Sequence, residues 1–411
     1  MRGPRRAAAL GALALLAACR DAPRTAGPAP TAPGAPGVAV EPLASPAAPG
    51  SGEPTLAAAT DGRLILSWIE PGEGGGHALR FSTRRAGEAW SPPRTVARGT
   101  SWFVNWADVP RVAAGDDGTL FAHWLERHPD GGPYQYDVRL VRSLDGGTTW
   151  SRPFHPYREA TPSEHGFVSL VPVTGGVGVL FLDGRETVHE RGAMTLRFAS
   201  WGSEAEPAPD VLVDPRVCDC CQTAAARTTQ GLIVAYRDRS ETEVRDVAVR
   251  RLEGGSWSEP VYPGAEGWAI AACPVNGPAL AAEGERVALA WFTMAGEKAA
   301  VRAALSNDSG RSWSAPMVLD HAEPLGRVDV VLTGRGALVS WLAGSSTGAE
   351  IRAASAGGDG DPGPPAVIAR TSAARASGFP QLERAGSEIV AAWTEPGDPP
   401  VVRTATLEVR E

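Results

Sequence analysis

One unit recurs along most of the chain: a small or apolar strand, a tight turn with Gly or Asp-Gly, and an apolar strand that usually ends in an aromatic residue. Clear copies read PTLAAATDGRLILSW from Pro54 and PRVAAGDDGTLFAHW from Pro110. Asp-Gly and Gly-Gly between β-rich segments are typical of β-hairpins. Seven copies follow one another at spacings of 50 to 58 residues, and the later ones begin at Val168, Gln222, Pro278, Val328 and Pro380.

A third strand such as DVRLVRS or AVRAALS follows the hairpin, and a fourth begins near a W-S-x-P sequence. Four strands per unit at this period are typical of a propeller blade. We therefore predict an all-β fold, a seven-bladed β-propeller of four-stranded antiparallel blades. The seventh copy reaches Glu411 after only three strands, so residues 37–43 (GVAVEPL) are expected to supply the missing outer strand.

The N-terminus has the features of an export signal. Arg2, Arg5 and Arg6 precede a short apolar segment, which is too short to span a bilayer. The sequence LAAC that ends at Cys19 resembles the lipobox of bacterial lipoproteins. This resemblance implies cleavage before Cys19 and a lipid on that residue. We expect a signal peptide over 1–18, a Pro/Ala/Gly-rich tether over 19–53 and the propeller over 54–411.

Composition limits the partners. The chain carries 39 Lys and Arg against 47 Asp and Glu, a net charge of −8, and no basic cluster, which argues against nucleic acid. The lipid would attach the protein to a membrane of the bacterial cell envelope, facing the periplasm or the cell surface. A glycan or another envelope protein is the expected kind of ligand.

Two turns between third and fourth strands share a motif. SLDGGTTW and SNDSGRSW both match S-x-D-x-G-x-x-W. The motif resembles the Asp box (BNR repeat) of sialidases and related propellers. We expect a structural role, in which the Asp accepts backbone N–H bonds, the Gly adopts a positive φ and the Trp packs between blades. The residues concerned are Ser143, Asp145, Gly147, Trp150, Ser306, Asp308, Gly310 and Trp313.

Strand alternation sorts the loops onto two faces. The second-to-third-strand loops share a face with the connections between blades, which we call the loop face, and the Asp-box turns lie opposite. Charged and polar residues of the loop face concentrate near blades two to four, which predicts a ligand site there. The predicted ligand-binding residues are Arg127, Asp183, Arg185, Arg237, Arg239 and Asn276.

The resemblance to sialidases implies an alternative function. Sialidases are six-bladed, clamp a substrate carboxylate with three arginines, and use a Tyr activated by a Glu with an Asp as acid/base. In this chain Tyr236, Asp238 and Glu241 would be the catalytic residues of such a glycosidase, with Tyr134 and Tyr136 as weaker candidates. The F/Y-R-I-P motif of the family is absent and the chain has seven repeats, so a six-bladed propeller of the sialidase type is the alternative fold. A binding module is therefore favoured over a sialidase-like exo-glycosidase.

The cysteines are crowded. Cys218, Cys220 and Cys221 lie in VCDCCQT, before the fourth repeat, and Cys273 lies in CPVNGP, before the fifth. Both loops precede an innermost strand, so they should open on the loop face beside each other. An oxidising compartment favours two disulfides, whereas clustered thiolates suit Cu(I) or Zn, or a redox site. The sequence leaves both interpretations open.

Overall fold

The computed structural model describes residues 37–190, 192–357 and 362–410. Cys19 and the segment that resembles a lipobox lie outside these residues. In the described part of the chain, β-strands form seven antiparallel sheets, and the helical structure consists of four short 3-10 helices, Glu73–Gly75, Arg185–Val188, Ala295–Glu297 and Arg375–Ser377. No helix there is long and apolar enough to cross a membrane.

Each sheet is one blade, and the blades are numbered here in chain order. Blade 1 contains β2 (Gly52–Ala58), β3 (Leu64–Pro71), β4 (His77–Arg84) and β5 (Arg94–Gly99). Blade 2 contains β6 (Arg111–Ala114), β7 (Leu120–Arg127) and β8 (Tyr136–Ser143). Blade 3 contains β9 (His165–Val173), β10 (Gly176–Asp183), β11 (Thr195–Trp201) and β12 (Val211–Asp214). Blade 4 contains β13 (Ala224–Thr228), β14 (Gly231–Arg237), β15 (Val247–Glu253) and β16 (Ser256–Trp257). Blade 5 contains β17 (Ala279–Glu283), β18 (Arg286–Thr293), β19 (Ala300–Ser306) and β20 (Met317–Asp320).

Blade 6 contains β21 (Pro324–Leu332), β22 (Gly336–Ser345), β23 (Gly348–Gly357) and β24 (Ala366–Thr371). Blade 7 contains β25 (Gln381–Ala385), β26 (Glu388–Glu395), β27 (Val401–Arg410) and β1 (Gly37–Leu43). The outermost strand of blade 7 is β1, which pairs antiparallel with β27 from Gly37 opposite Arg410 to Leu43 opposite Thr404. The first and last strands of the described residues therefore meet in one sheet. The innermost strand β2 contacts both β6 and β25, which closes the ring.

The prediction of an all-β, seven-bladed propeller is confirmed, and the six-bladed alternative is wrong. Blade 2 is the irregular one, because its sheet has three strands and its fourth position holds only a bridge between Leu140 and Phe154.

The hydrophobic core is divided among the junctions between blades. Blade strands are apolar on both faces because each blade packs against two neighbours, and β10 is buried over its whole length. Among the described residues, seven buried clusters result, one at each junction, including the one between blades 7 and 1 around Leu64, Trp68 and Val390. Burial of this apolar surface is the main favourable term that holds the ring together.

The innermost strands surround a central channel. A cavity of about 410 Å³ is lined by residues of all seven blades, among them Asp108, Arg111, Gln222 and Glu383. Its lining also includes Gly277, and Gln222 and Gly277 follow the two cysteine segments in the sequence.

Candidate functional site

Four cysteines converge on the loop face, and we call Cys218, Cys220, Cys221 and Cys273 the thiol cluster. The Sγ atom of Cys218 lies 3.8 Å from that of Cys220 and 3.2 Å from that of Cys221. The three sulfurs of this segment all lie within 4.8 Å of one another. Cys273, in the next connection, influences the pKa of Cys220, but its sulfur is not one of the three that lie within 4.8 Å of one another. All four are free thiols in the structure.

The backbone of the first cysteine segment is fixed by its neighbours in blades 3 and 4. The N–H of Cys218 donates to the carbonyl of Arg237 at 2.9 Å, and that of Val217 donates to Met194 at 2.9 Å. Val217 also forms a bridge with Asp238, directly after β14. The segment therefore continues the edge of blade 4 and cannot move independently of it.

The second cysteine segment is held by a buried arginine. Arg237 donates from Nε and Nη2 to the carbonyl of Asn276 at 3.0 and 2.8 Å. The N–H of Gly277 donates to Oε1 of Gln222 at 3.0 Å, and Gln222 also donates to the carbonyl of Ala107. A Cβ atom at Gly277 would lie 2.1 Å from the carbonyl oxygen of Gln222, so the two connections touch backbone to backbone.

A ring of charges surrounds the thiols. Arg245 donates from Nη1 to Sγ of Cys218 at 3.2 Å and from Nη2 to Glu243 at 2.8 Å. Arg239 pairs with Asp219 at 3.0 Å and with Glu243 at 2.8 Å. Hydrogen bonds from Cys220 and Cys221, opposed by burial and aided by Arg245, lower the pKa of Cys218, whereas burial raises the pKa of Cys221. The cluster can thus hold anionic sulfur within the protein.

A buried tyrosine joins two carboxyl groups near the cluster. The hydroxyl of Tyr136 lies 2.8 Å from Oε1 of Glu164 and 3.1 Å from Oδ2 of Asp108. Burial, together with the Glu164 charge, raises the pKa of Asp108 to about 8, and burial raises the pKa of Glu164 to about 7, with a contribution from Asp219. One tyrosine proton cannot serve two carboxylates, so the group holds a further proton at neutral pH.

The predicted ligand-binding residues are all present near the loop face, but their polar groups are engaged within the protein. Arg237 donates only to carbonyls, those of Asn276, Arg245 and Phe292. The side-chain oxygen of Asn276 accepts from the N–H of Arg327. Arg185 makes a bidentate pair with buried Asp183, and Arg127 lies over the ring of Phe103. The arginines therefore do not converge as a clamp in this structure.

The predicted glycosidase residues are also placed apart from the channel. Tyr236 is 1% exposed and packs between blades 3 and 4, where its hydroxyl lies 2.7 Å from Asp214 and 3.0 Å from Nε of Arg250. Asp238 accepts a hydrogen bond from Tyr262, and Glu241 is exposed in a turn. A tyrosine–glutamate contact does exist at Tyr136, one of the weaker candidates, but that side chain is buried beneath Phe103.

The two motif-bearing turns form local hydrogen-bond networks on the opposite face. Asp145 accepts from the N–H groups of Thr148 and Thr149, and Ser143 accepts from that of Gly147. In the second turn the N–H of Gly310 donates to Ser306 and that of Ser312 donates to Asp308. Trp150 and Trp313 pack against buried clusters at blade junctions.

A second group, Glu159, His165 and Asp183, also places three potential ligand atoms within 4.8 Å of one another. Its members already have partners, because His165 Nε2 lies 2.7 Å from Glu159 and Arg185 lies 2.6 Å from Asp183. The group is an ion-pair network, and a metal would have to displace the arginine.

Arg245 is a contact of the thiol cluster that the sequence analysis did not predict. Arg245 lies just before β15, across the loop from Arg237. Strand pairing places that position beside the cysteine segment, so the strand order could have predicted this contact from the sequence.

Fold and site together define a seven-bladed β-propeller with a cysteine-bearing loop face. No protein-family model matches the chain, and no curated protein matches it. A solved structure of a protein of unknown function from Dyadobacter fermentans is similar at 14% identity and a TM-score of 0.52, over 92% of this chain and 100% of that one.

Two glycosidase structures match with lower TM-scores. An α-L-arabinanase from Penicillium chrysogenum, complexed with arabinobiose, has 14% identity and a TM-score of 0.48, over 90% of this chain and 97% of that one. A Hadza microbial sialidase has 16% identity and a TM-score of 0.43, and the match covers 71% of this chain and 63% of the sialidase, less than two thirds of its length. These likenesses concern the propeller fold alone.

Proposed function

We propose that the protein is a lipid-anchored binding protein of the bacterial cell envelope, and that its loop face binds a thiophilic metal ion, Cu(I) or Zn(II), at the thiol cluster. The observation that carries this proposal is that the sulfurs of Cys218, Cys220 and Cys221 lie within 4.8 Å of one another, with Cys273 in the neighbouring connection. Thiolates are the protein ligands that select Cu(I) and Zn.

The spacing of the sulfurs supports a metal rather than two separate disulfides. Around zinc bonded to sulfur at about 2.3 Å, tetrahedral geometry separates neighbouring sulfurs by about 3.8 Å. Cys218 and Cys220 are 3.8 Å apart and Cys218 and Cys221 are 3.2 Å apart, and both distances are well above the roughly 2.05 Å of a disulfide. Cys218 also contacts both Cys220 and Cys221, so the sulfurs form one cluster instead of two isolated pairs.

Metal titration tests this function. Full-length protein, reduced and handled without oxygen, is titrated with Cu(I) alone and with Zn(II) alone, and bound metal and free thiols are counted. We expect one ion per chain and its loss in Cys220→Ser. The control is Met294→Ser, which removes an exposed sulfur close to the loop face but outside the cluster. Protein from the envelope with no free thiols and no metal would mean two disulfides instead.

The anchor is tested separately. Cys19→Ser should release the mature protein from the membrane fraction or leave the precursor uncleaved, because the lipid would be joined to that residue. Unchanged processing together with unchanged lipid labelling would contradict the anchor and leave the metal proposal intact.

A glycosidase function has weaker support. The arginines that would clamp a carboxylate have partners within the protein, and Tyr236 is enclosed. We expect little or no turnover of a fluorogenic sialoside. Robust turnover that Tyr236→Phe abolishes would favour the glycosidase instead.

A further inference from the structure

We propose that the thiol cluster exchanges its metal through Cys273, so that the bound ion is cargo passed to or from a thiol-bearing partner and not a permanent part of the fold. This inference rests on the proposed metal function. It concerns how the same site operates, and it begins from an asymmetry among the four sulfurs.

The asymmetry is one of burial. Cys218 and Cys221 are enclosed, with 1% and 2% of their surfaces exposed, Cys220 is half-buried, and Cys273 is exposed. Structural zinc sites are closed on all sides by protein ligands, whereas sites that act on other molecules keep one position open. Here Cys218, Cys220 and Cys221, which we call the floor of the site, would hold the metal from the protein side. Cys273 would be the ligand on the solvent-facing side.

The floor and the fourth ligand are also attached differently. The floor belongs to one segment that hydrogen-bonds to Arg237 and Met194 of the adjoining strands and loops. Cys273 belongs to a separate connection, whose hydrogen bonds to other segments lie three residues to either side, where the N–H of Ile270 donates to Glu243 and the carbonyl of Asn276 accepts from Arg237. Val275 packs against the core between blades 3 and 4. The sulfur of Cys273 can therefore leave the metal without disturbing the positions of the other three.

The exchange step needs no redox change. A thiolate of the incoming partner forms a bond to the metal from the solvent side, the bond from Cys273 Sγ to the metal breaks, and Cys273 leaves as a thiolate. The metal keeps its oxidation state and stays bound by the floor until the partner supplies further ligands. Charged groups at the rim, Asp219, Glu243 and Arg239, are partly exposed and available to a partner surface.

The first test uses the wild-type protein and needs no variant. Full-length protein loaded with Cu(I) is treated with a limiting alkylating reagent, and the modified cysteines are mapped by mass spectrometry. We expect Cys273 to be alkylated first while the copper stays bound, and more slowly than in metal-free protein. Equal protection of all four thiols until the metal is lost would overturn the proposal, and so would a Cys273 rate that copper does not change.

The second test measures transfer of Cu(I) to bathocuproine disulfonate, a competing chelator. Loss of an outer partner of a metal site costs roughly 10- to 100-fold in affinity, so Cys221→Ser, which removes a floor ligand, should cost more than roughly 100-fold. Cys273→Ser should still bind one copper and should release it faster than wild type. Equal losses of affinity in the two variants would overturn the exchange role.

The two proposals fail in different ways. Wild-type protein that binds no stoichiometric copper or zinc refutes the metal function, and this inference with it. Wild-type protein that binds one ion but treats Cys273 and Cys221 alike keeps the metal function and refutes the exchange role.

Discussion

Arg245 donates from Nη1 to the Sγ atom of Cys218 across 3.2 Å, which places a buried guanidinium against one of the two most enclosed thiols. The same guanidinium reaches Glu243, and Glu243 in turn pairs with Arg239. The thiol cluster is therefore built into a charge network of blade 4. The cation offsets sulfur charge that burial would otherwise make costly.

Arg245→Met should weaken Cu(I) binding roughly 10- to 100-fold without changing the stoichiometry, the usual effect of removing an outer partner. The reason is that the arginine both orients the Cys218 sulfur and offsets its charge. A competition titration against a chelator measures the affinity. Arg251→Met is the control, since Arg251 pairs with Glu253 on the same blade without touching the cluster. Equal affinities in wild type and Arg245→Met would show that the contact is irrelevant to binding.

Arg237→Lys should destabilise the protein, whereas Arg239→Lys, two positions away, should not. Arg237 is 2% exposed and donates to three carbonyls, and lysine cannot reproduce a planar fork. Each hydrogen bond that a buried charged group loses lowers the free energy of unfolding by about 1.5–3 kcal/mol, so we expect a total loss of a few kcal/mol. Arg239 makes partly exposed ion pairs, which are worth about 1 kcal/mol or less. Urea unfolding of both variants decides the matter, and equal stabilities would contradict this role of Arg237.

The fold was accessible from sequence because its signals are local. Gly-containing turns such as the one in PTLAAATDGRLILSW define each hairpin, and seven of them fix the number of blades. The placement of both cysteine segments on one face also followed from strand alternation alone. Side-chain partners did not follow, because they depend on distant backbone. Nothing in the local sequence shows that three carbonyls from separate segments converge on Arg237, or that Asp108 and Glu164 meet at Tyr136.

Gly147→Ala should cost more stability than Gly146→Ala, although both glycines adopt a positive φ, +87° and +69°. The left-handed conformation costs a residue with a Cβ about 1–2 kcal/mol at either position. At Gly147 the new Cβ would also lie 2.3 Å from Cζ of Phe81, whereas at Gly146 its nearest neighbour is 4.0 Å away. Overpacking adds about 1–3 kcal/mol. Thermal unfolding compares the two, and equal Tm values would mean that the turn does not pack tightly against blade 1.

Asp108→Asn should flatten the dependence of stability on pH. Burial holds the pKa of Asp108 at about 8 in the folded protein, against about 4 in an unfolded chain. Between these values the unfolded chain has lost a proton that the folded protein keeps. The free energy of unfolding therefore falls as pH rises, by about 1.4 kcal/mol per pH unit for one such group.

The asparagine amide resembles the protonated carboxyl and can still accept from the N–H of Phe167. We therefore expect Tm of Asp108→Asn to decline less than that of wild type from pH 4 to pH 8. Some slope remains, because the pKa of Glu164 is raised too. Asp130→Asn, at an exposed loop position, is the control and should follow the wild-type curve. Parallel curves for wild type and Asp108→Asn would show that this carboxyl is ionised in the folded protein.

Removing residues 1–43 should destabilise the propeller far more than removing residues 1–36. The longer deletion takes away β1, which pairs with β27 along its whole length and whose Val38 and Val40 pack against the cluster around Leu407. Without β1 the long strand β27 becomes an exposed edge, which favours aggregation. The shorter deletion removes none of these contacts. Thermal unfolding and light scattering of both deletions measure stability and aggregation. If the two deletions had the same Tm, pairing of β1 with β27 would contribute nothing to closing the ring, and blade 7 would be stable with three strands.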